Sequence, residues 1–139
     1  MTSSYKQFIK DLNENMIYEQ ISADKICIRN NTTIQCVCSN YEYDFMTTDG
    51  ISYEIKCDKA SNKTGNYFIE ILGRNNAPSG ISSTKADYYI ITNSINYYMK
   101  QTNVLKSLCK NKRILTLKDK SASGFIIPCS VIIENSIII

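Results

Sequence analysis

Residues Tyr41 to Lys59 read YEYDFMTTDGISYEIKCDK, two alternating runs on either side of a TTDG turn signal. Alternation with period two marks a half-buried strand, so the stretch is a β-hairpin. Ile51, Tyr53, Ile55 and Cys57 share one face of the second run; Ser52, Glu54, Lys56 and Asp58 share the other. In the first run Tyr41, Tyr43 and Phe45 point one way and Glu42, Asp44 and Met46 the other. A two-residue Asp49-Gly50 loop would set Asp44 against Ile55, polar against apolar, which is a costly slip. A three-residue Thr48-Asp49-Gly50 loop, with Gly50 in the left-handed region, pairs Thr47 with Ile51 and matches every apolar position. That register places Asp44 opposite Glu54.

Two carboxylates facing each other across strands repel. A shared cation removes the penalty, and oxygen-ligated Mg²⁺ suits it best. Lys56 projects from the same face, so the hairpin reads as a metal site with a lysine beside it. The bland reading is a charged surface strand. Asp49 has a complete structural reason to precede Gly50 in a turn.

Asp44, nine intervening residues and then Glu54-Ile55-Lys56 resemble the signature of the PD-(D/E)xK nuclease superfamily. Tyr43 stands where that signature names a proline. KTGNYFIEI (Lys63 to Ile71) and PSGISSTKADYYI (Pro78 to Ile90) are similar to segments of small stand-alone members, often from phages and other viruses. The resemblance implies an α/β fold: a restriction-endonuclease-like mixed β-sheet with a bent central hairpin, flanked by helices. It implies a metal-dependent deoxyribonuclease, acting as an endonuclease in recombination, repair or DNA processing. Asp44, Glu54 and the Ile55 backbone carbonyl would hold Mg²⁺, with Mn²⁺ as a substitute. Lys56 would position or deprotonate the attacking water, or stabilise the developing oxyanion. Many members carry an acid on the first helix, and Glu19, with Glu14 behind it, is the candidate here; a solvated helix glutamate is the other reading. A homodimer follows by analogy only.

At 139 residues, with 43% hydrophobic content and a net charge of +3, residues 1–139 form one domain, and a polyanionic partner is permitted without being demanded. Histidine is absent, which excludes it as base or ligand. Six cysteines, at 27, 36, 38, 57, 109 and 129, lie mostly in apolar runs. With no signal peptide at Met1-Thr2-Ser3-Ser4, buried free thiols in an intracellular, non-secreted protein are expected. The apolar run Val131 to Ile139, broken by Glu134 and Asn135, is too short to span a membrane.

From Ser3 or Ser4 a helix is expected to about Ser22, with Phe8, Leu12, Met16 and Ile21 as its stripe. Lys25 to Asn30 and Thr33 to Cys38 are short apolar runs, one or both of which should form the strand before the hairpin. A strand from Asn66 to Leu72 follows a polar loop, then a single helical turn that Ser82-Ser83-Thr84 can cap and a central strand from Asp87 to Thr92. Tyr97 to Met99 extends the sheet. A short helix turns Val104, Leu105 and Leu108 inward. Ile114 to Leu117 is a strand, and Gly124 to Ile133 an extended segment bent at Pro128. Glu70 sits on a strand face beside Phe68 and Leu72, where it either pairs with a lysine or reaches the metal. Asp58 is either a support to the site or a solvated strand end. Lys59, Lys63, Asn66, Arg74, Ser79 and Lys85 are loop groups able to grip phosphates, with Lys63 and Asn66 first. Lys100 to Lys120 holds seven basic residues and one acid, Asp119, either a DNA track or a charged face. A nucleic-acid-binding module of the same fold that has lost cleavage is the alternative function. A purely structural domain would not need a charged face opposite an apolar one.

Overall fold

The computed structural model describes residues 3–37 and 42–139, with side chains from residue 13 onward. Cys38, Tyr41 and the Phe8 and Leu12 part of the expected stripe fall outside this description. The first helix, α1 (Ser3–Asn30), runs on past Ser22, so Lys25 to Asn30 is not a strand. The burial there has helical spacing. Ser22, Ala23 and Ile26 are buried, while Ile28 is 83% exposed. Asn31 ends the helix at φ 50°, and the Thr32 N–H donates to the Cys27 carbonyl at 3.1 Å. This is a left-handed cap that asparagine tolerates. The expected strand before the hairpin is β1 (Ile34–Val37) alone.

The hairpin consists of β2 (Phe45–Thr47) and β3 (Ser52–Cys57). Phe45 pairs with Tyr53 and Met46 with Ser52. The Thr47 N–H reaches the Ile51 carbonyl at 3.0 Å, and Gly50 lies at φ 83°. The three-residue loop and its register are therefore those read from the alternation. Asp49 accepts hydrogen bonds from the Thr47 hydroxyl and the Ile51 N–H, the turn role expected of it.

After α2 (Ser61–Thr64) come β4 (Asn66–Leu72), β5 (Tyr88–Thr92), β6 (Tyr97–Gln101), α3 (Thr102–Cys109), β7 (Arg113–Thr116), β8 (Ser123–Pro128), α4 (Cys129–Ile133) and β9 (Ile137–Ile138). The molecule is mixed α/β, with four helices among the described residues. The main sheet has six strands in the order β1-β2-β3-β5-β6-β9. It is mixed, because β3 and β5 run parallel while the other pairs are antiparallel.

Parallel neighbours need a crossover, and β4 lies in it. The expected strands at Asn66, Ile114 and Gly124 do not join the hairpin's sheet; they form a second, three-stranded sheet in the order β4-β8-β7. That sheet covers one face where helices alone were expected. Gly124 lets β4 and β8 meet closely, since a Cβ there would stand 2.6 Å from the Ile69 carbonyl oxygen. Three further expectations shift. Pro128 ends β8 and the chain turns into α4 instead of staying extended. Leu105 is buried and Val104 is 45% exposed. The helical turn occupies Gly80–Ser82.

The main sheet has a core on each face. Ala23 and Ile26 of α1 pack on Phe45, Tyr53, Ile55 and Ile90. On the other face Tyr89 and Ile91 pack on Tyr67, Ile69, Ile127, Leu105 and Ile132. Ile90 and its neighbours Tyr89 and Ile91 thus serve opposite cores, as alternation requires. Of the five described cysteines only Cys109 is buried, and Cys36 is exposed, so the expectation of buried thiols fails for most. Among the described residues no helix is long and apolar enough to cross a membrane.

Candidate active site

The strand β2 begins at Phe45, so only the first half of β3 has a strand on that side. Asp44 takes over where β2 is missing. Its N–H donates to the Tyr53 carbonyl at 2.8 Å, and its Oδ2 accepts from the Ile55 N–H at 2.7 Å. Odd-numbered residues of β3 therefore address this edge. A strand residue sends its N–H and C=O to the same side, so the Ile55 carbonyl points to the open edge beside Asp44. The ladder ends at Phe45–Tyr53; Asp44 is a bend whose N–H shares the Tyr53 carbonyl, so it meets Glu54 across the cleft and not as the cross-strand pair expected.

Asp44, Glu54 and Lys56 line a cavity of 670 Å³ together with Glu70, Arg74 and Ser79. The same three residues line a smaller cavity of 210 Å³, closed by Asn15, Tyr18 and Glu19 of α1. The trio stands between the two, and Glu19 joins it from the helix. Burial, then repulsion from Asp44, pushes the Glu19 carboxyl up to about 7, against the pull of Lys56. Glu54 is also pushed up to about 7, by burial first, then Asp44 and Glu19; Lys56 and a Thr84 hydroxyl hydrogen bond oppose this. Burial raises Asp44 as well, with the Ile55 N–H and Lys56 opposing. Three acids that resist joint ionisation, grouped in a cleft, mark a place that favours an added positive charge.

Glu70 lines the larger cavity and makes no ion pair among the described residues, so of its two readings the lysine partner drops out. Gly80 holds the loop against it. At φ 54° its missing Cβ would stand 2.3 Å from the Glu70 carbonyl oxygen. Beneath the acids lies Tyr89, fully buried and paired in register with Glu54. Its hydroxyl has no hydrogen-bond partner among the described residues. Burial above all, with Glu54, Glu70 and Asp44 adding to it, drives that hydroxyl's pKa far up.

Other expected groups sit elsewhere. Glu14 pairs with Lys59 at 3.0 Å, and Lys59 also lies over the Tyr18 ring, so both are engaged at α1. Lys85 pairs with Glu42 at 3.3 Å. Lys63 is exposed on α2, and the Asn66 side chain donates to the Thr64 carbonyl. None of Lys59, Lys63, Asn66 and Lys85 lines the larger cavity. Arg74 and Ser79, ranked behind them in the sequence, do. Asp58 is half-buried and lines neither cavity; its carboxylate accepts from the Phe68 N–H at 2.9 Å, tying β4 to the end of β3. Lys100 leaves the basic run. It is 6% exposed, and its ammonium donates to the Glu134 carbonyl at 2.5 Å, at the end of α4. Thr84 and Asn15 were missed. Asn15 precedes Glu19 by one helical turn, the one signal that could have found it.

Among the described residues no three thiol, imidazole or carboxylate groups form a ready-made metal site. The donors at the open edge are Asp44, Glu54 and the Ile55 carbonyl, all hard oxygens. Mg²⁺ commonly takes one or two carboxylates and keeps several waters, and this donor set fits that habit. Protein-family models and curated proteins were compared with the chain, and none matches.

Proposed function

We propose that this chain is a Mg²⁺-dependent deoxyribonuclease of the PD-(D/E)xK type, hydrolysing phosphodiester bonds at the Asp44–Glu54–Lys56 cleft. The observation that carries the reading is the convergence of Asp44, Glu54, Lys56 and Glu19 on one pair of adjoining cavities. The open edge of a mixed sheet, with the hairpin inside it, supports the restriction-endonuclease-like fold.

Asp44, Glu54 and the Ile55 carbonyl would hold the cation. Bound there, it supplies a water of lowered pKa and positive charge for the phosphoryl oxygens. Lys56 lines the same cavities as those donors, where it would position the attacking water or take its proton. Arg74 lines the same cavity and can neutralise a phosphate entering it. Glu19 adds negative charge from the helix side and can orient water around the cation. Glu70 can do so from β4.

The test is plasmid nicking with and without Mg²⁺. Asp44→Ala and Glu54→Ala should each cut activity by more than about 100-fold, beyond what changes outside the ligand shell cost, while DNA binding in EDTA survives. Near wild-type nicking by either variant would show that the cation is held elsewhere. The second reading is a DNA-binding module of the same fold that does not cut. That reading wins if the folded wild type binds DNA but never nicks it with Mg²⁺ or Mn²⁺.

A further inference from the structure

The loop 73–83 separates two cavities, and Pro78 lines both. On one side is the acid cleft. On the other is a groove of 520 Å³ walled by Ile71, Ile81 and Phe125, with Lys106 of α3 and Lys110 just past its end beside them. Both lysines are exposed, and neither makes an ion pair among the described residues. The volume is that of a small-ligand site, about 300–1,000 Å³, and too small to seat a long helix.

The groove's one hydroxyl, on Ser82, is already used. It accepts from the Ser79 N–H and faces the Ile71 and Ser79 carbonyls as donor. An extended peptide laid here would bury N–H and C=O groups with no partners. A nucleobase offers an apolar π-face that needs none, and its phosphates carry the charge that Lys106 and Lys110 complement.

We propose that this groove holds unpaired nucleotides of a DNA strand that passes over Pro78 from the acid cleft, so that the substrate carries a single-stranded segment next to the scissile phosphate. This rests on the nuclease reading of the cleft and adds the class of DNA to it.

Binding is measured in EDTA by fluorescence anisotropy, with fluorescein-labelled oligo(dT), a blunt duplex and a duplex bearing a single-stranded flap. Oligo(dT) and the flap should bind about tenfold tighter than the blunt duplex. Lys106→Ala with Lys110→Ala should lower the salt slope for oligo(dT) by about 1.4, at about 0.7 per phosphate. Phe125→Leu keeps the apolar volume and removes the stacking face. It should weaken oligo(dT) binding about five- to tenfold and leave the blunt duplex within about twofold. Equal affinity of wild type for flapped and blunt duplexes overturns the proposal, as does equal loss by the variants on both. Binding of an acidic amphipathic peptide with none of oligo(dT) overturns it in favour of a protein partner. The nuclease reading is scored apart, by cleavage with Mg²⁺. A protein that cuts blunt and flapped duplexes alike keeps that reading and loses this one. A protein that holds the flap through Lys106, Lys110 and Phe125 but cuts nothing does the reverse.

Discussion

Glu19 and Glu54 compete with Asp44 for the right to be charged. Both carboxyls are held at about 7, above their ordinary 4.5, by burial first and by neighbouring acids next. Raised folded values mean that, between pH 4.5 and 7, the folded chain binds more protons than the unfolded one. Metal-free stability therefore falls as pH rises through that window, and is lowest above it. Glu19→Gln with Glu54→Gln removes the two titrations. At pH 8 in EDTA this variant should melt about 3–6 °C above wild type, and at pH 4 within about 1 °C of it. The gain is modest because Glu19 is partly exposed and screened. A wild type as stable as the variant at pH 8 would remove the acid cluster as a source of strain. The Phe45–Tyr53 register was legible in the sequence because alternation and turn length fix it without any tertiary knowledge; the bend at Asp44, which ends the ladder there, was not. Arg74 and Ser79 could not be ranked above Lys59, Lys63 and Lys85, because loop residues have no periodicity to say which way they face. Lys59 and Lys85 have carboxylate partners, Glu14 and Glu42, that only the folded chain brings near.

At the scale of the elements, the hairpin turn and the loop over Glu70 each turn on a glycine with a different burden. Gly50 lies at φ 83° and a Cβ added there would meet nothing within 4 Å, whereas one on Gly80, at φ 54°, would meet the Glu70 carbonyl oxygen at 2.3 Å. Gly50→Ala thus bears only the conformational cost, about 1 kcal/mol, and should keep its nicking activity. Gly80→Ala adds a backbone clash that must lift the loop from Glu70. It should cost more than about 2 kcal/mol and impair nicking, as urea titrations run beside the plasmid assay will show. Equal, small effects at both positions would mean that the loop does not rest on β4 as described. The misread elements have physical reasons. Ile26-Cys27-Ile28 has strand-like composition, yet burial follows the helical spacing of Ser22, Ala23 and Ile26, and Asn31 is a helix cap. The second sheet was hidden because a strand's alternation tells which faces are apolar, not which neighbour it pairs with. Only the parallel β3–β5 pairing, which forces a crossover, pushes β4 out of the main sheet.

For the whole molecule, the candidate site is the place where three elements meet: α1 through Glu19, the hairpin through Asp44 and Glu54, and the loop 73–83 through Arg74. A cation held there would bridge acids that otherwise push α1 and the hairpin apart. Anything that binds only the folded chain stabilises it, by about 2.7 kcal/mol when present at 100 times its Kd. Wild type should therefore gain several degrees in Tm with Mg²⁺, and the gain should shrink in Asp44→Ala. Lys56→Met separates structure from chemistry. Methionine keeps much of the apolar stem and removes the charge that opposes the carboxyl shifts of Glu19, Glu54 and Asp44. In EDTA at pH 8 the variant should melt below wild type, because the acids have lost their nearby cation. Mg²⁺ supplies positive charge to the same carboxylates, so the deficit should close as it is added. Nicking should stay down by more than about 100-fold, since a positioned proton-transfer group contributes about 10²–10⁴. Thermal unfolding and nicking are measured on the same samples across one Mg²⁺ titration. Full cleavage by Lys56→Met would remove the lysine from the chemistry. A Tm that ignores Mg²⁺ in both proteins, at concentrations that support cleavage, would place the cation away from Asp44 and Glu54.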